Sequence, residues 1–348
     1  MKIALVHEWL TNYAGSERCI HALKEVFPSA PLYTSIYNEK KMPEVFKSYD
    51  IRTSFLQILP MAKNKHQAYL PLMPLAFENF DFSEFDVVIS SCHACAKGII
   101  TKPETLHISY LYTPLRYIWS HYQEYKNYGK FAFLKKILLP IPFSYMRLWD
   151  KSAIDRVDVL VSDCKYVAAR TEKYYRRKSH IIYPPVNTSV YNVSKNPSRS
   201  FYLMVGRLVP YKRFDLAIKA FNNLGLPLKI VGTGSEYSKL KAMAKKNIEF
   251  LGYLPDHEIS ELYSNCEAFI FPGEEDFGIT PLEAQAAGRP VIAFGKGGAL
   301  ETIIEYETGI CFREQTPLAL EETIKSYQRR EFSADRIRKN ALKFDVSI

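Results

Sequence analysis

A chain of 348 residues exceeds what one hydrophobic core usually serves, so two domains of roughly 100–200 residues each are expected. A hydrophobic fraction of 47% excludes a disordered or fibrous chain, and no stretch reaches the roughly 18 uncharged apolar residues of a membrane-spanning helix. The net charge is +9, and it is uneven: between residues 96 and 180, 16 Lys and Arg stand against 7 acids. Such an excess suits polyanions or an acidic membrane leaflet, or a plain solvated basic face.

The opening run MKIALVHEWL is too short for a signal peptide and carries His7 and Glu8 inside it. Strands are predicted at 2–6, 86–91, 105–112, 158–163 and 180–184, as near-continuous apolar runs covered on both faces. Between Met42 and Phe82 the rhythm is broken by Pro43, Pro60, Pro71 and Pro74, which predicts irregular loops and short helices. Cys92 and Cys95 form a CxxC with no second pair in zinc-binding spacing, so they read as small residues of a tight strand-to-helix connection in a reduced protein.

A polar, proline-bearing segment follows, YPPVNTSVYNVSKNPSRS, and then a second alternating series with strands predicted at 201–206, 228–232, 248–252, 268–273, 290–295 and 309–312. Most of these end in glycine, as tight strand-to-helix turns of nucleotide-binding sheets do. The reading is an α/β protein with an N-terminal Rossmann-like domain over 1–185, a linker over 186–200 and a C-terminal Rossmann-like domain over 201–332. The two sheets are expected to face a central cleft. Residues 333–348 read as a basic amphipathic helix packing back toward the N-terminal domain, and it stops abruptly, as it would if the protein continued.

The richest chemistry lies in PGEEDFGITPLEAQAAGRP. Thr280, Pro281 and Glu283 spell a capping box with proline at the first helical position, and Gly288 ends the helix. Glu275 and Glu283 flank the end of a strand and the start of this helix, where carboxylates can accept hydrogen bonds from sugar and ribose hydroxyls. Between them Phe277, Gly278 and Ile279 offer backbone N–H groups to a diphosphate. In GRLVPYKRFD, Gly206 is followed by Arg207 and Lys212, two cations suited to a diphosphate leaving group, with Arg213 equally eligible on charge alone. In the first half, Gly15 offers close backbone approach after the first strand, with Ser16 expected to cap the next helix.

Together these segments resemble the retaining GT-B glycosyltransferases of family 4, and within it the WbaZ-like mannosyltransferases of surface-polysaccharide assembly. EEDFGITPLEAQAAGRPVIAFGKGGALETI looks like the family's paired-acid segment, VGRLVPYKRFD like its cationic segment, HEWLTNYAGSER like its N-terminal glycine loop, and SYLYTPLRYIW like a stretch of that branch. The resemblance implies Glu275 on the donor sugar, Glu283 on the ribose, and Arg207 and Lys212 on the diphosphate in place of a metal, so neither metal nor cofactor is required. It implies retention, with the departing phosphate taking the proton of the incoming hydroxyl. The donor it implies is GDP-mannose, with a UDP-sugar or another nucleotide sugar as the alternative. The acceptor is a lipid-linked or other oligosaccharide of O-antigen, capsule or exopolysaccharide synthesis.

Where the family commonly has His, this chain has Tyr112, a hydrogen-bond donor but, with a pKa near ~10, a poor base. His93 is the other candidate for that place, and the change leaves open a nucleotide-sugar-binding protein without turnover. The basic, aromatic stretch 128–149 has the composition of an interfacial segment, so the expected location is cytoplasmic and peripheral, on the inner face of the membrane. A buried interdomain helix would explain that stretch equally well. No aromatic RNA-binding motif accompanies the charge, and nucleic acid is not an expected partner.

Overall fold

The computed structural model describes residues 1–120, 122–123 and 138–348. Residues 128–137 of the basic aromatic stretch, Lys135 and Lys136 among them, lie outside the described residues. The chain divides into two compact units, Met1–Tyr183 and Pro184–Ile348, so the polar segment expected as a linker belongs to the second.

The first unit is a seven-stranded sheet with the order β3-β2-β1-β4-β5-β6-β7. Its strands are β1 (Ile3–His7), β2 (Leu32–Thr34), β3 (Ile51–Thr53), β4 (Val87–Cys92), β5 (Leu106–Leu111), β6 (Val159–Ser162) and β7 (His180–Ile181). Every pairing is parallel. Parallel strands must be joined by crossovers that cover both faces of the sheet, and the side chains alternate accordingly. Ala4, Val6 and Val88 enter one core with Trp149, Ala153 and Ile154 of the helix Pro140–Asp155. Leu5 and Ile89 enter the opposite core with Ile20 of the helix Gly15–Val26.

The second unit repeats the plan with six strands ordered β10-β9-β8-β11-β12-β13. They are β8 (Tyr202–Val205), β9 (Leu228–Val231), β10 (Ile248–Gly252), β11 (Phe269–Phe271), β12 (Val291–Phe294) and β13 (Gly309–Phe312). Tyr202, Met204 and Ile230 pack on one face with the helix Phe214–Leu224, while Leu203, Val231 and Phe271 pack on the other with the helix Ile279–Ala286. The helix Ala334–Ala341 lies in this unit, where Arg338 donates to the carbonyls of Tyr191 and Ala286 and Asn340 Nδ2 donates to Gln285 Oε1 over 2.8 Å. In both sheets the strand order reverses beside the first strand, at β1/β4 and at β8/β11. The chain leaves such a point in opposite directions and opens a crevice at the carboxyl ends of the strands.

Candidate functional site

In the second unit, the loops that leave β8 and β11 carry the residues singled out by sequence. Lys212 Nζ and Glu275 Oε1 meet at 2.5 Å, with side chains 15% and 18% exposed. Arg207, one loop position from Gly206, is exposed and makes no side-chain hydrogen bond or ion pair among the described residues. Arg213, equal to Lys212 on charge, is committed elsewhere: its guanidinium donates to Asp215 over 3.2 Å and to Gln315 over 2.9 Å. Gln315 in turn donates to the carbonyl of Pro272 over 2.9 Å, so Arg213 ties the two loops together and leaves Arg207 and Lys212 as the cations available to an anion. Arg213 also sits at φ 54°, a left-handed backbone that costs a non-glycine residue roughly 1 kcal/mol.

Glycines let these loops close on one another. A Cβ on Gly232 would sit 2.0 Å from the Gly206 carbonyl oxygen, and one on Gly297 would sit 2.2 Å from that of Glu275. Gly297 and Glu275 form a parallel bridge, and Lys296 pairs with Glu274 at 3.0 Å, so the loop after β12 braces the acidic loop.

The helix after β11 begins at Ile279, with Gly278 as its N-cap at φ 88° and no side-chain cap. The capping box expected of Thr280 and Glu283 therefore does not form. The helix starts two residues earlier, because glycine takes the positive φ at a place where a Cβ would come within 2.9 Å of the Phe271 ring. The expected stop at Gly288, φ 71°, is present. Phe277 is 3% exposed and its ring packs 5.8 Å from that of Phe344, so its side chain serves packing. Glu283 is 5% exposed, and one oxygen accepts the hydroxyl of buried Tyr263 over 3.0 Å. Burial, and then the Glu283 charge, push that phenol well above its ordinary range, so the proton stays on Tyr263.

In the first unit the corresponding strand ends hold a buried polar cluster. Glu8, fully buried, accepts the backbone N–H groups of His93, Ala94, Cys95 and Ala96 at 2.7–3.1 Å. Burial would raise its pKa, but the His93 charge and the N–H groups of Cys95 and Ala96 hold it below the ordinary value. The CxxC is thus wrapped around a carboxylate; both thiols are free, buried and pushed well up by burial and by the Glu8 charge. His93, held by this loop, stands edge-on to Trp9 at 4.8 Å.

Tyr112 Oη lies 2.9 Å from Ser91 Oγ and 3.2 Å from the Ser16 carbonyl oxygen, and burial raises its pKa well above the ordinary phenol. Gly15 opens the helix Gly15–Val26, and the N-cap is Ala14 rather than Ser16, because Glu17 reaches back to the Ala14 N–H over 2.9 Å and supplies the capping bond itself. Sequence reasoning missed Glu8, Glu17, Ser91 and Tyr263. The one available signal was polar: His7 and Glu8 side by side at the end of an apolar strand.

With this geometry in view, comparison with known proteins is informative for the second unit above all. Residues 191–344 match the family described as Glycosyl transferases group 1. An uncharacterised glycosyltransferase of Methanocaldococcus jannaschii is 29% identical over 184 residues, 51% of this chain and 52% of that protein. The alpha-1,3/1,6-mannosyltransferase ALG2 of Dictyostelium discoideum is 27% identical over 223 residues, 51% of this chain and 53% of that protein. The chain thus spans about half the length of these curated relatives. Among solved structures, HepE of Anabaena in complex with UDP superposes with a TM-score of 0.71 over 100% of this chain and 96% of its own, at 16% identity. The architecture is the GT-B fold, two Rossmann-like domains with parallel sheets.

Proposed function

We propose that the chain is a glycosyltransferase that moves a sugar from a nucleotide diphosphate to a hydroxyl acceptor, retaining the anomeric configuration and using no metal. One observation carries the reading: Lys212 and Glu275 meet at 2.5 Å where the strand order reverses, with Arg207 on the same loop as Lys212 and Glu283 on the helix that follows. Cations at that place stabilise the charge that grows on a departing diphosphate, and carboxylates hold the hydroxyls of sugar and ribose. The family match over 191–344 supports this.

The mannosyltransferase named among the relatives favours mannose from GDP-mannose. The UDP bound by HepE makes a UDP-sugar the second reading. The acceptor is a lipid-linked glycan of surface-polysaccharide assembly, met at the cytoplasmic face of an anionic membrane. Leu138, Ile141, Tyr145 and Leu148, 57–80% exposed, support the membrane part, since their spacing along the helix Pro140–Asp155 and its approach puts them on one face.

The test is a thermal-shift panel of GDP, UDP, GDP-mannose and UDP-glucose, followed by turnover of whichever sugar nucleotide stabilises. A ligand selective for the folded chain raises its melting temperature. Stabilisation without donor hydrolysis or transfer would leave a binding protein, and no stabilisation by any of the four would reject the reading.

A further inference from the structure

In the second unit the helix Asp256–Asn265 brings a phenol to Glu283. Tyr263 Oη donates to Glu283 Oε2 over 3.0 Å, with Tyr263 0% and Glu283 5% exposed. The two belong to different helices, with β11 between them in the chain, so their meeting is a product of the fold.

The donor is fixed from several sides. The Tyr263 ring meets that of Tyr191 nearly at right angles, 5.6 Å between centroids, and that of Phe269 at 5.5 Å. On either side of Tyr191, the carbonyls of Val190 and Asn192 accept the hydroxyls of Ser260 and Ser264, each over 2.7 Å, which pins the helix bearing Tyr263 to the segment 190–192. Arg338 closes the frame. It donates to the carbonyl of Tyr191 and to that of Ala286, the last residue of the helix bearing Glu283. All of these contacts lie within the second unit.

A glutamate side chain has three rotatable bonds, and ordering it when a ligand arrives costs free energy that a preset geometry avoids. One hydrogen bond from a phenol that is itself held on several sides sets the rotamer and the plane of the carboxylate in advance. Burial and the Glu283 charge hold the phenol well above its ordinary range, so it stays a donor. The packing between Tyr191 and Phe269 needs only the ring, and among the described residues Glu283 is the partner of the hydroxyl. A phenylalanine would therefore keep the packing and lose only the bond to the carboxylate.

We propose that Tyr263 is a positioning residue that acts through Glu283 and gives the second unit its preference for a ribose over a deoxyribose nucleotide. The proposal rests on the transferase reading above, in which Glu283 holds the ribose of the donor. A ribose hydroxyl donating to a carboxylate held in one plane makes a short, charge-assisted hydrogen bond. A nucleotide without that hydroxyl forfeits the bond, and this is how a polar site rejects an analogue of nearly the same shape. Once the carboxylate is free to turn, the bond weakens and the two nucleotides bind more nearly alike.

The experiment measures binding of GDP, UDP and the 2′-deoxy and 3′-deoxy forms of each to the wild type, Tyr263→Phe, Glu283→Ala and the double variant by isothermal titration. Urea denaturation checks that each variant is folded. In the wild type at least one deoxy form is expected to bind more than tenfold more weakly than its ribose parent. In Tyr263→Phe the ribose form should lose about tenfold while that deoxy form is unchanged. With GDP-mannose or UDP-glucose as donor, KM should rise about tenfold and kcat stay nearly constant. In the Glu283→Ala background Tyr263→Phe should have no further effect, because the residue through which it acts is gone. Equal losses for ribose and deoxyribose forms in folded Tyr263→Phe, or no loss for either, would overturn the proposal, as would a tenfold loss that persists without Glu283. Should Glu283→Ala not fold, the ribose-to-deoxyribose ratio of Tyr263→Phe decides alone. If the wild type binds neither GDP nor UDP, the transferase reading fails and the proposal with it; a wild type that binds, with its preference unaltered in Tyr263→Phe, sinks the proposal alone.

Discussion

Lys212 and Glu275 neutralise each other, and under the proposed function each exchanges its partner for part of a donor. That makes them sensitive positions with small structural cost, because both side chains keep contact with solvent. Lys212→Ala and Glu275→Ala are each expected to lower transfer by about 100-fold or more with the melting temperature nearly unchanged; a loss under tenfold for both, by steady-state kinetics, would discard the assigned roles. Under the proposed function Arg207 and Lys212 do the work of a divalent ion, so transfer should survive a chelator; activity lost to chelator and restored by manganese would contradict that. Glu8 behaves differently. Removing its carboxylate leaves four buried N–H groups without an acceptor, so Glu8→Ala should cost roughly 3 kcal/mol or more, readable by urea denaturation. At this scale the acids and cations of the second unit were legible as a pattern of residue types. Arg213 could not be told from Lys212 by charge, because only its contacts with Asp215 and Gln315 remove it from the site.

Elements were readable where apolar runs were long. β10 and β13 lie where the runs IEFLG and GICF place them. β2 and β3, three residues each, carry too little periodicity to be seen, and β3 falls among the loops expected between Met42 and Phe82. Helix starts were misplaced at Thr280 and Ser16 for one shared reason: a capping residue is chosen by backbone conformation and by what reaches the free N–H groups, which local composition does not show. The glycine-braced loops make a direct prediction. Gly297→Ala would drive a Cβ against the Glu275 carbonyl oxygen and demand φ 71° of alanine, so it should lower stability and move Glu275, seen as a loss of donor stabilisation in thermal shift.

The interior strand β5 also sets a pH dependence. Burial holds His107 down to about 4, against 6.5 ordinarily. Between those values the unfolded chain binds the extra proton, so stability rises with pH across the window and is lost on acidification. For a buried group this amounts to about 2 kcal/mol between pH 7 and pH 5, and His107→Gln should flatten the curve measured by urea denaturation.

For the molecule as a whole, two sheets with one topology put both candidate clusters at strand-order reversals, and that is why residues as distant in sequence as Lys212 and Glu275, or His7, Ser91 and Tyr112, become neighbours. If the exposed apolar stripe of the helix Pro140–Asp155 meets lipid, Ile141→Ser with Leu148→Ser should weaken sedimentation with anionic vesicles, and so should neutralising Lys135 and Lys136; unchanged sedimentation in both would remove the membrane from the proposal.

Alternation of apolar runs with glycine-ended turns was enough, by itself, to determine a doubled parallel α/β architecture, because strand burial is written locally, while Arg207, Lys212, Glu275 and Glu283 stood out as candidates by residue type and by resemblance to a family. Which of those groups meet, which cation is spent on holding loops together, and the contact that Tyr263 makes with Glu283 were decided only by tertiary structure. The pairing of strands distant in sequence sets those contacts, and hydrogen bonds between them leave no periodic trace in the chain.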